Sequence, residues 1–513
     1  MSPEPSGNQA GNGTANIASR LRPFVDQVSR FPDRVILAVI VVAAAVIRFH
    51  ALGEKSIWVD EGVSIELARL GWYDFIRIVW RHEGNMLLYH LLLRPWLWFG
   101  DSAAYIRSLS VFSTLATLPA VYVLGRRLFD SRTGLIAAFL LSVNAYHVRY
   151  AQEARSYVLY LLLCVLSSIY FLKCLDDNSR ENRLGHVVTS ALAIYAHFFS
   201  GLLVIAQWLS LRLLDRPALE QQMKENWRKL AIAVSPVALF ILTTGTGVLR
   251  WIPRPGLSDL GYCSLFLTGN GGIYLTAIYI VFCVVAFVPF RFPIAQRVSF
   301  DSWKYRFLLL WLLFPILFVF LISQFKPFFL TRYFIFTLPA LALLASAGLA
   351  RLPSRWLLAG TLLVMAMLSL RGVVSYYSQD FDISREDWRS ASRYLFAHAQ
   401  PGDAVLFHQP IGRMPYEYYH GISNVPADPV VIYPAHGDRL TFRDFYAGRA
   451  PDAFLEGVPS HYQRVWVVLT YNQVGSGPDP ATRFITDLFT RLYGAPQRRT
   501  FAGIELLLYT RRK

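Results

Sequence analysis

Long apolar runs alternate with short basic segments along the first 370 residues of the chain. A helix needs roughly 20 mostly apolar residues to cross a bilayer, so runs of this length predict membrane spans. About eleven spans are predicted, at 35–51, 105–124, 134–146, 158–175, 187–214 (two short spans broken near 197–201), 230–248, 273–290, 307–322, 334–349 and 356–370. The pattern is typical of an α-helical polytopic membrane protein.

Basic residues lie mainly in alternate loops of this pattern. Arg126 and Arg127 follow the second span, and Arg180 and Arg183 follow the fourth. Because cytoplasmic loops are rich in Lys and Arg, we expect an inner (plasma) membrane protein with residues 1–34 as a cytoplasmic tail. The formal net charge of +16 is explained by these loops, so no nucleic-acid partner is expected.

Two further regions depart from the pattern of spans. The long external loop 52–103 contains an apolar stretch, 86–99, that is too short to span and is interrupted by Arg94, which favours a helix lying in the membrane interface. Residues 250–262 contain Pro and Gly and predict an outer loop.

The composition becomes typical of a soluble protein at about residue 372. Period-3.6 patterns predict helices at 386–399 and 481–493, and apolar runs rich in β-branched residues predict strands. The strands are predicted at 404–408, 430–433, 464–469 and 505–509. The chain is therefore divided into a transmembrane domain, 35–371, and an extracytoplasmic α/β domain, 372–513.

Two adjacent acids, Asp60 and Glu61, lie in the external loop after the first span. Such a pair could hold a metal, orient a hydroxyl or accept a proton. The alternative is an ordinary solvated loop.

The predicted topology brings other polar residues to the same outer face. Glu153 lies beside Arg155 and Tyr157 between two spans, where ionisable residues are paired or functional. His82 and Glu83 begin the interfacial stretch. His82, Glu83 and Glu153 are the candidates for a divalent metal site, and a structural ion pair or a solvated loop are the alternatives.

Two cations, Lys326 and Arg332, flank an apolar outer turn. Arg offers a planar fork and Lys a point charge for phosphate oxygens; snorkelling to the interface is the alternative. Acids for a hydroxyl and cations for a phosphate on one membrane face suggest a lipid-phosphate donor whose sugar is transferred outside.

Five motifs in order carry a resemblance to a known family. They are WVDE at 58–61, EGNMLLY at 83–89, FGDS at 99–102 with Arg107, QEARSY at 152–157 and TRY at 331–333. With these motifs the first 370 residues resemble the polyisoprenyl-phosphate-dependent glycosyltransferases of the GT-C fold. This is the broad family 39 group, which includes protein O-mannosyltransferases and lipid A aminoarabinose transferases.

The resemblance implies a catalytic role for Asp60, with Glu61 beside it. It implies that cations, here Lys326, Arg332 and Arg155, bind the donor phosphate. Substrate contacts are carried over to four further residues: Glu83, Glu153, Tyr157 and Tyr333.

The resemblance also implies inversion at the anomeric carbon. Gly84, Asn85 and Met86 stand where protein mannosyltransferases have His-Pro-Pro, which counts against a protein acceptor.

The sequence thus predicts a membrane glycosyltransferase that moves a hexose or pentose from a polyprenyl-monophosphate donor to an acceptor hydroxyl outside the membrane. The acceptor is a glycan, a lipid or a protein. A lipid-linked-sugar flippase is the alternative, although it would place polar residues through the bilayer midplane and show paired repeats. A scaffold that only anchors the outer domain would need none of the clustered charges.

Overall fold

A computed structural model describes residues 33–213, 217–244, 252–288, 300–378, 385–434, 450–474 and 477–511. A large helical part is followed by a smaller domain built on a mixed sheet. The helical part contains α1 (Asp33–Phe49), α2 (Val59–Arg69), α3 (Trp72–Ile78), a π-helix (Val79–Glu83), α4 (Leu87–Trp96), α5 (Ala103–Leu128), α6 (Ser131–Ser142), α7 (Ala145–Ala151), α8 (Tyr157–Asp176), α9 (Arg180–Ala196), α10 (Ser200–Arg212), α11 (Pro217–Ala233), α12 (Ser235–Thr244), α13 (Leu257–Leu267), α14 (Ile273–Val285), α15 (Phe300–Ser323), a 3₁₀-helix (Thr331–Thr337), α16 (Leu338–Leu349) and α17 (Arg355–Ser378).

Several of these helices have the length and composition of membrane spans. Within the described ranges, five qualify: Ala103–Leu128, Tyr157–Asp176, Asp301–Ser323, Thr331–Leu349 and Arg355–Ser378. The predicted break near 197–201 is confirmed, because α9 ends at Ala196 and α10 begins at Ser200. The protein is thus a multi-pass α-helical membrane protein, and the total of about eleven spans stays a prediction.

One predicted loop is wrong. Within 250–262, where an outer loop was expected, α13 begins at Leu257. Its first turn is capped by Asp259, whose Oδ2 accepts a hydrogen bond from the Gly256 N–H at 2.7 Å. The prolines at 253 and 255 precede this cap, so they lie before the helix and do not interrupt it.

The C-terminal end of α1 is fixed by a buried cation. Arg48 is fully buried and donates to the carbonyl oxygens of Ser142 (2.9 Å) and Leu141 (3.2 Å) at the end of α6. Carbonyls at a helix C-terminus lack partners within their own helix, so they are available to accept from the guanidinium. The contact fixes the start of the segment that continues into α7 and Glu153.

Residues 52–103, predicted to form an external loop, are largely helical. A helix predicted within 86–99 is confirmed as α4, and its position in the membrane interface stays a prediction. Helix α2 is buried along most of its length, and it packs against α19 (Arg413–Gly421) of the smaller domain. Close approach is possible because Gly62 has no side chain: a Cβ there would lie 2.7 Å from the Pro415 nitrogen.

The smaller domain is an α/β unit. Its strands are β1 (Ala404–Phe407), β2 (Val430–Tyr433), β3 (Arg464–Thr470), β4 (Gln473–Val474), β5 (Gly477–Pro478), β6 (Gln497–Phe501) and β7 (Ile504–Thr510). Its helices are α18 (Trp388–His398), α19, α20 (Asp452–His461) and α21 (Pro480–Tyr493), with a 3₁₀ turn at Pro410–Gly412. The main sheet has the order β2-β1-β3-β7-β6, parallel around β1 and antiparallel around β7.

The predicted strands and helices of this domain are confirmed, but helices α19 and α20 and strands β4, β5 and β6 were missed. Strand β6 shows one reason. Its sequence, QRRTF, is polar and mostly exposed at the sheet edge, so it lacks the apolar alternation that identifies a strand. The domain boundary predicted at 371/372 falls within α17, which continues to Ser378.

Candidate functional site

Asp60 lies in the first turn of α2, at the junction of the membrane part and the smaller domain. Its side chain is 26% exposed, and Oδ2 is 3.7 Å from the Nη2 atoms of both Arg155 and Arg332. Arg155 is held in place by donating from Nη1 to the Asp60 carbonyl oxygen (3.1 Å) and to Ser64 Oγ (3.2 Å). The carboxylate is therefore flanked by two cations at long range and keeps an open side.

Glu61, the next residue, has a different environment. It is fully buried, and Arg107 binds it through Nε at 2.8 Å and Nη2 at 2.7 Å. The Ala154 N–H also donates to Glu61 Oε1 at 2.8 Å. These bonds tie α2 to α5 and to the segment after α7, so Glu61 helps to fix the position of Asp60.

Glu153 also lies beneath the site, with only 1% of its surface exposed. It pairs with Arg149, Nε to Oε1 at 3.4 Å, and with Arg385 of the smaller domain. The Arg385 guanidinium also lies 4.7 Å from the centre of the Trp58 ring. Arg385 was missed by the sequence analysis, because its local sequence carries no motif and it reaches the site only through tertiary contact.

The 3₁₀-helix Thr331–Thr337 positions Arg332. Tyr146 Oη donates to the Thr331 carbonyl at 2.9 Å, and Tyr160 Oη donates to the Tyr333 carbonyl at 2.8 Å. Two buried tyrosines of α7 and α8 thus hold the backbone on both sides of Arg332.

Four guanidinium groups and at least three carboxylates converge here. These are Arg149, Arg155, Arg332 and Arg385, with Asp60, Glu83 and Glu153. The Nε atoms of Arg155 and Arg332 and the Tyr157 hydroxyl are buried and find no hydrogen-bond partner within the described parts of the chain. Buried donors of this kind are normally satisfied, so the site is suited to an anion with several oxygens, such as a phosphate.

The electrostatic balance keeps Arg155 charged. Burial lowers the pKa of Arg155, but nearby Asp60, Tyr157 and Glu83 outweigh burial, so its pKa lies above the ordinary value. Glu83, at the end of the π-helix, therefore belongs to the electrostatic surroundings of the site. Tyr333 is also close, and it packs against His197 with ring centres 4.9 Å apart.

Not every predicted residue is brought into the cluster. Lys326 is exposed beyond the end of α15, and no contact joins it to Asp60 among the described residues. The side chain of His82 lies outside the described residues. No group of three or more His, Cys, Asp or Glu side chains with metal-binding geometry is found in the ranges that the structure covers; Glu153 is instead bound by arginines.

Two more residues of the smaller domain reach this region. Glu386 Oε2 accepts a hydrogen bond from the Val59 N–H at 3.3 Å, one residue before Asp60. Tyr471 interacts electrostatically with Glu386, Asp60 and Arg332. Neither was found from the sequence, since neither lies in a motif.

Part of the chain that contributes to this site resembles a known protein family. Residues 95–243 match the family model described as dolichyl-phosphate-mannose-protein mannosyltransferase. The match includes Arg107, Glu153 and Arg155 and ends before Arg332. A search of curated proteins gives no match.

The similarity of fold extends over nearly the whole chain. ArnT from Cupriavidus metallidurans superposes with a TM-score of 0.60 in the apo state (12% identity) and 0.61 when bound to undecaprenyl phosphate (13% identity), covering 92% of this chain and 97% of ArnT. The oligosaccharyltransferase AglB from Archaeoglobus fulgidus, in complex with an inhibitory peptide and a dolichol-phosphate, gives 0.51 at 9% identity, covering 86% and 69%. The chain therefore has the GT-C fold that its sequence motifs indicated.

Proposed function

We propose that this protein is a membrane glycosyltransferase that moves one sugar from a polyprenyl-monophosphate carrier to an acceptor hydroxyl on the extracytoplasmic side. The observation that carries the proposal is the partly exposed carboxylate of Asp60 between Arg155 and Arg332, with nearby buried donors that find no partner among the residues the structure describes. The resemblance in fold to ArnT, seen with undecaprenyl phosphate, supports a lipid-phosphate donor.

The proposed reaction is a single displacement. Asp60 accepts the proton of the acceptor hydroxyl while the hydroxyl oxygen attacks the anomeric carbon. The bond between that carbon and the phosphate oxygen breaks, and polyprenyl phosphate leaves with the electron pair. Attack opposite the leaving group inverts the anomeric centre.

The arginines would stabilise the departing phosphate. Negative charge grows on the leaving oxygen, and Arg155 and Arg332 are already oriented by contacts to α2 and by the anchored 3₁₀-helix. Both arginines also lie within 3.7 Å of Asp60 Oδ2, so the base and the phosphate-binding cations are held side by side.

The remaining predicted residues receive supporting roles. Glu61 positions Asp60 through Arg107, while Glu83, Tyr157 and Tyr333 surround the bound sugar and phosphate. Glu153 orients Arg149 and Arg385. A flippase is less well supported, because the charges gather at the junction with the smaller domain. We further propose a plasma-membrane location with a cytoplasmic N-terminus, from the placement of basic loops.

Reconstituted transfer tests the proposal. Purified protein in liposomes is supplied with radiolabelled polyprenyl-phosphate sugars and with an extract of cell-envelope glycans and lipids, and covalent label on the acceptor is measured. Asp60→Asn is expected to lower transfer about 100- to 10,000-fold, since it removes the base. Its thermal unfolding should match the wild type; an active, folded Asn variant would exclude Asp60 as the base.

Arg332 and Lys326 provide a matched pair within the same assay. Arg332→Gln should reduce kcat/KM for the donor about 100-fold, because it removes a cation from the leaving phosphate. Lys326→Gln removes an exposed cation and should change it less than threefold. Equal losses in both variants would place Lys326 in the phosphate site.

A further inference from the structure

We infer that the smaller domain completes the catalytic site, with Glu386 and Tyr471 binding the acceptor on the open side of Asp60. The inference rests on the proposed function and deepens it. It assigns the acceptor side to the domain that follows the membrane part, and the donor side to the arginines of the membrane part.

Glu386 is held directly beside the start of α2. Its side chain is almost fully buried, with 3% exposure, and Oε2 accepts from the Val59 N–H at 3.3 Å. The other oxygen, Oε1, is buried and makes no hydrogen bond within the described parts of the chain. The Glu386 carboxyl is also hydrogen-bonded with the Tyr471 hydroxyl, so the two side chains form one polar pair close to Asp60.

The position of Glu386 is rigid. The adjacent Asp387 N–H donates to the Ala502 carbonyl at 2.9 Å, and the Asp387 carboxylate caps α18. Gly503, with φ +68°, packs against Glu386 so closely that a Cβ would lie 3.1 Å from Glu386 Cγ. The turn between β6 and β7 therefore fixes this side chain with the precision that a binding site needs.

Tyr471 follows β3 in an unusual backbone conformation. Its φ is +50°, a left-handed value that costs a bulky residue on the order of 1–3 kcal/mol. The conformation is maintained on both sides, because Thr470 pairs with Ile504 and the Asn472 carbonyl accepts from the Asp479 N–H at 2.9 Å. Strain kept in this way is often found at functional sites.

This conformation leaves the Tyr471 side chain 51% exposed while bringing its hydroxyl within electrostatic range of Asp60 and Glu386. Burial raises the pKa of Glu386, and nearby Asp60 raises it further. Hydrogen bonds from the Tyr471 hydroxyl and the Val59 N–H partly offset this rise. The carboxyl of Glu386 is therefore protonated more readily than an exposed glutamate.

The chemistry of this side differs from that of the arginine side. It offers a buried carboxyl, a phenol and an exposed aromatic face beside the carboxylate of Asp60. Such groups suit a polyhydroxyl ligand such as a sugar unit, which needs hydrogen-bond donors and acceptors and an apolar surface for its C–H groups. An anionic acceptor would instead be repelled by Asp60.

Steady-state kinetics in the reconstituted assay test the inference. Tyr471→Phe and Glu386→Gln are compared with Tyr73→Phe and Glu456→Gln, two exposed residues in other elements. Tyr471→Phe should raise KM for a glycan acceptor about 10-fold, the effect of one lost hydrogen bond. The KM for the donor should stay unchanged. Glu386→Gln, which keeps a polar side chain in place, should lose less than Glu386→Ala.

The outcomes separate the two proposals. If the wild type transfers sugar and Tyr471→Phe behaves like Tyr73→Phe, the inference is wrong while the proposed function stands. A rise in both KM values, or a fall in the unfolding temperature that accounts for the loss, also overturns it. If the wild type transfers no sugar from any donor in the panel, the proposed function itself fails.

Discussion

Asp60 and Glu61 are neighbours in one turn of α2, yet their surroundings are opposite. Glu61 is fully buried and receives three hydrogen bonds shorter than 3 Å from Arg107 and Ala154. The side chain of Asp60 has two cations at 3.7 Å and is about a quarter exposed. A carboxylate whose oxygens already accept short hydrogen bonds from the protein cannot also bind a substrate, whereas a partly exposed carboxylate with longer contacts can. Two adjacent acids can thus have different roles, one structural and one chemical.

The largest expected effect comes from replacing Glu61, the fully hydrogen-bonded acid of this pair. Glu61→Gln leaves the buried guanidinium of Arg107 without its charge partner, which should cost about 3–5 kcal/mol in the free energy of unfolding. We expect a large fall in the thermal unfolding temperature in detergent, measured beside Asp60→Asn, which should unfold like the wild type.

A different result would reverse the assignment. If Glu61→Gln keeps its unfolding temperature and loses transfer, Glu61 takes part in the reaction and the comparison of the two acids is wrong.

A smaller effect is expected where α2 meets the smaller domain. Gly62→Ala introduces a Cβ 2.7 Å from the Pro415 nitrogen, so α2 or α19 must shift. Overpacking of this kind costs about 1–3 kcal/mol, and the shift would also misplace Asp60, so transfer should fall with stability. The control is Gly71→Ala, where a Cβ meets no atom within 4 Å; equal losses in both variants would refute the steric argument.

The smallest effect concerns a third acid of α2, which is buried but incompletely paired. Burial raises the pKa of Glu66 to about 7, although Arg69 at 2.9 Å opposes the rise and Glu417 adds to it. The pKa is higher in the folded state than the ordinary 4.5, so the stabilising contribution is full below that value. It is lost as the pH rises towards 7.

Glu66→Gln removes this titration. Between pH 6 and pH 8 the wild type should lose about 1 kcal/mol of unfolding free energy that the variant keeps. Unfolding temperatures at both pH values measure the difference; identical pH dependence in the two proteins would contradict it.

Much of this architecture could be predicted from local patterns. Apolar runs identified the long helices of the membrane part but not the short helices α2, α3 and α7. Apolar runs rich in β-branched residues identified the strands of the sheet core. The break between α9 and α10 was also predicted. The polar edge strand β6 and helix α13 escaped, because their local sequences lacked the usual pattern or followed prolines that suggested a loop.

The candidate site shows the same contrast between what local sequence patterns reveal and what depends on tertiary contacts. Acids and cations near the ends of the predicted spans could be identified from the sequence, because long apolar runs show which residues leave the membrane and the motifs are local. Only the tertiary structure decided which of them meet: it placed Arg332 beside Asp60 and left Lys326 exposed, paired Glu61 with Arg107, and added Arg385, Glu386 and Tyr471. The physical reason is that these contacts join residues far apart in the chain, and no local pattern encodes a pairing that arises only when distant segments pack together.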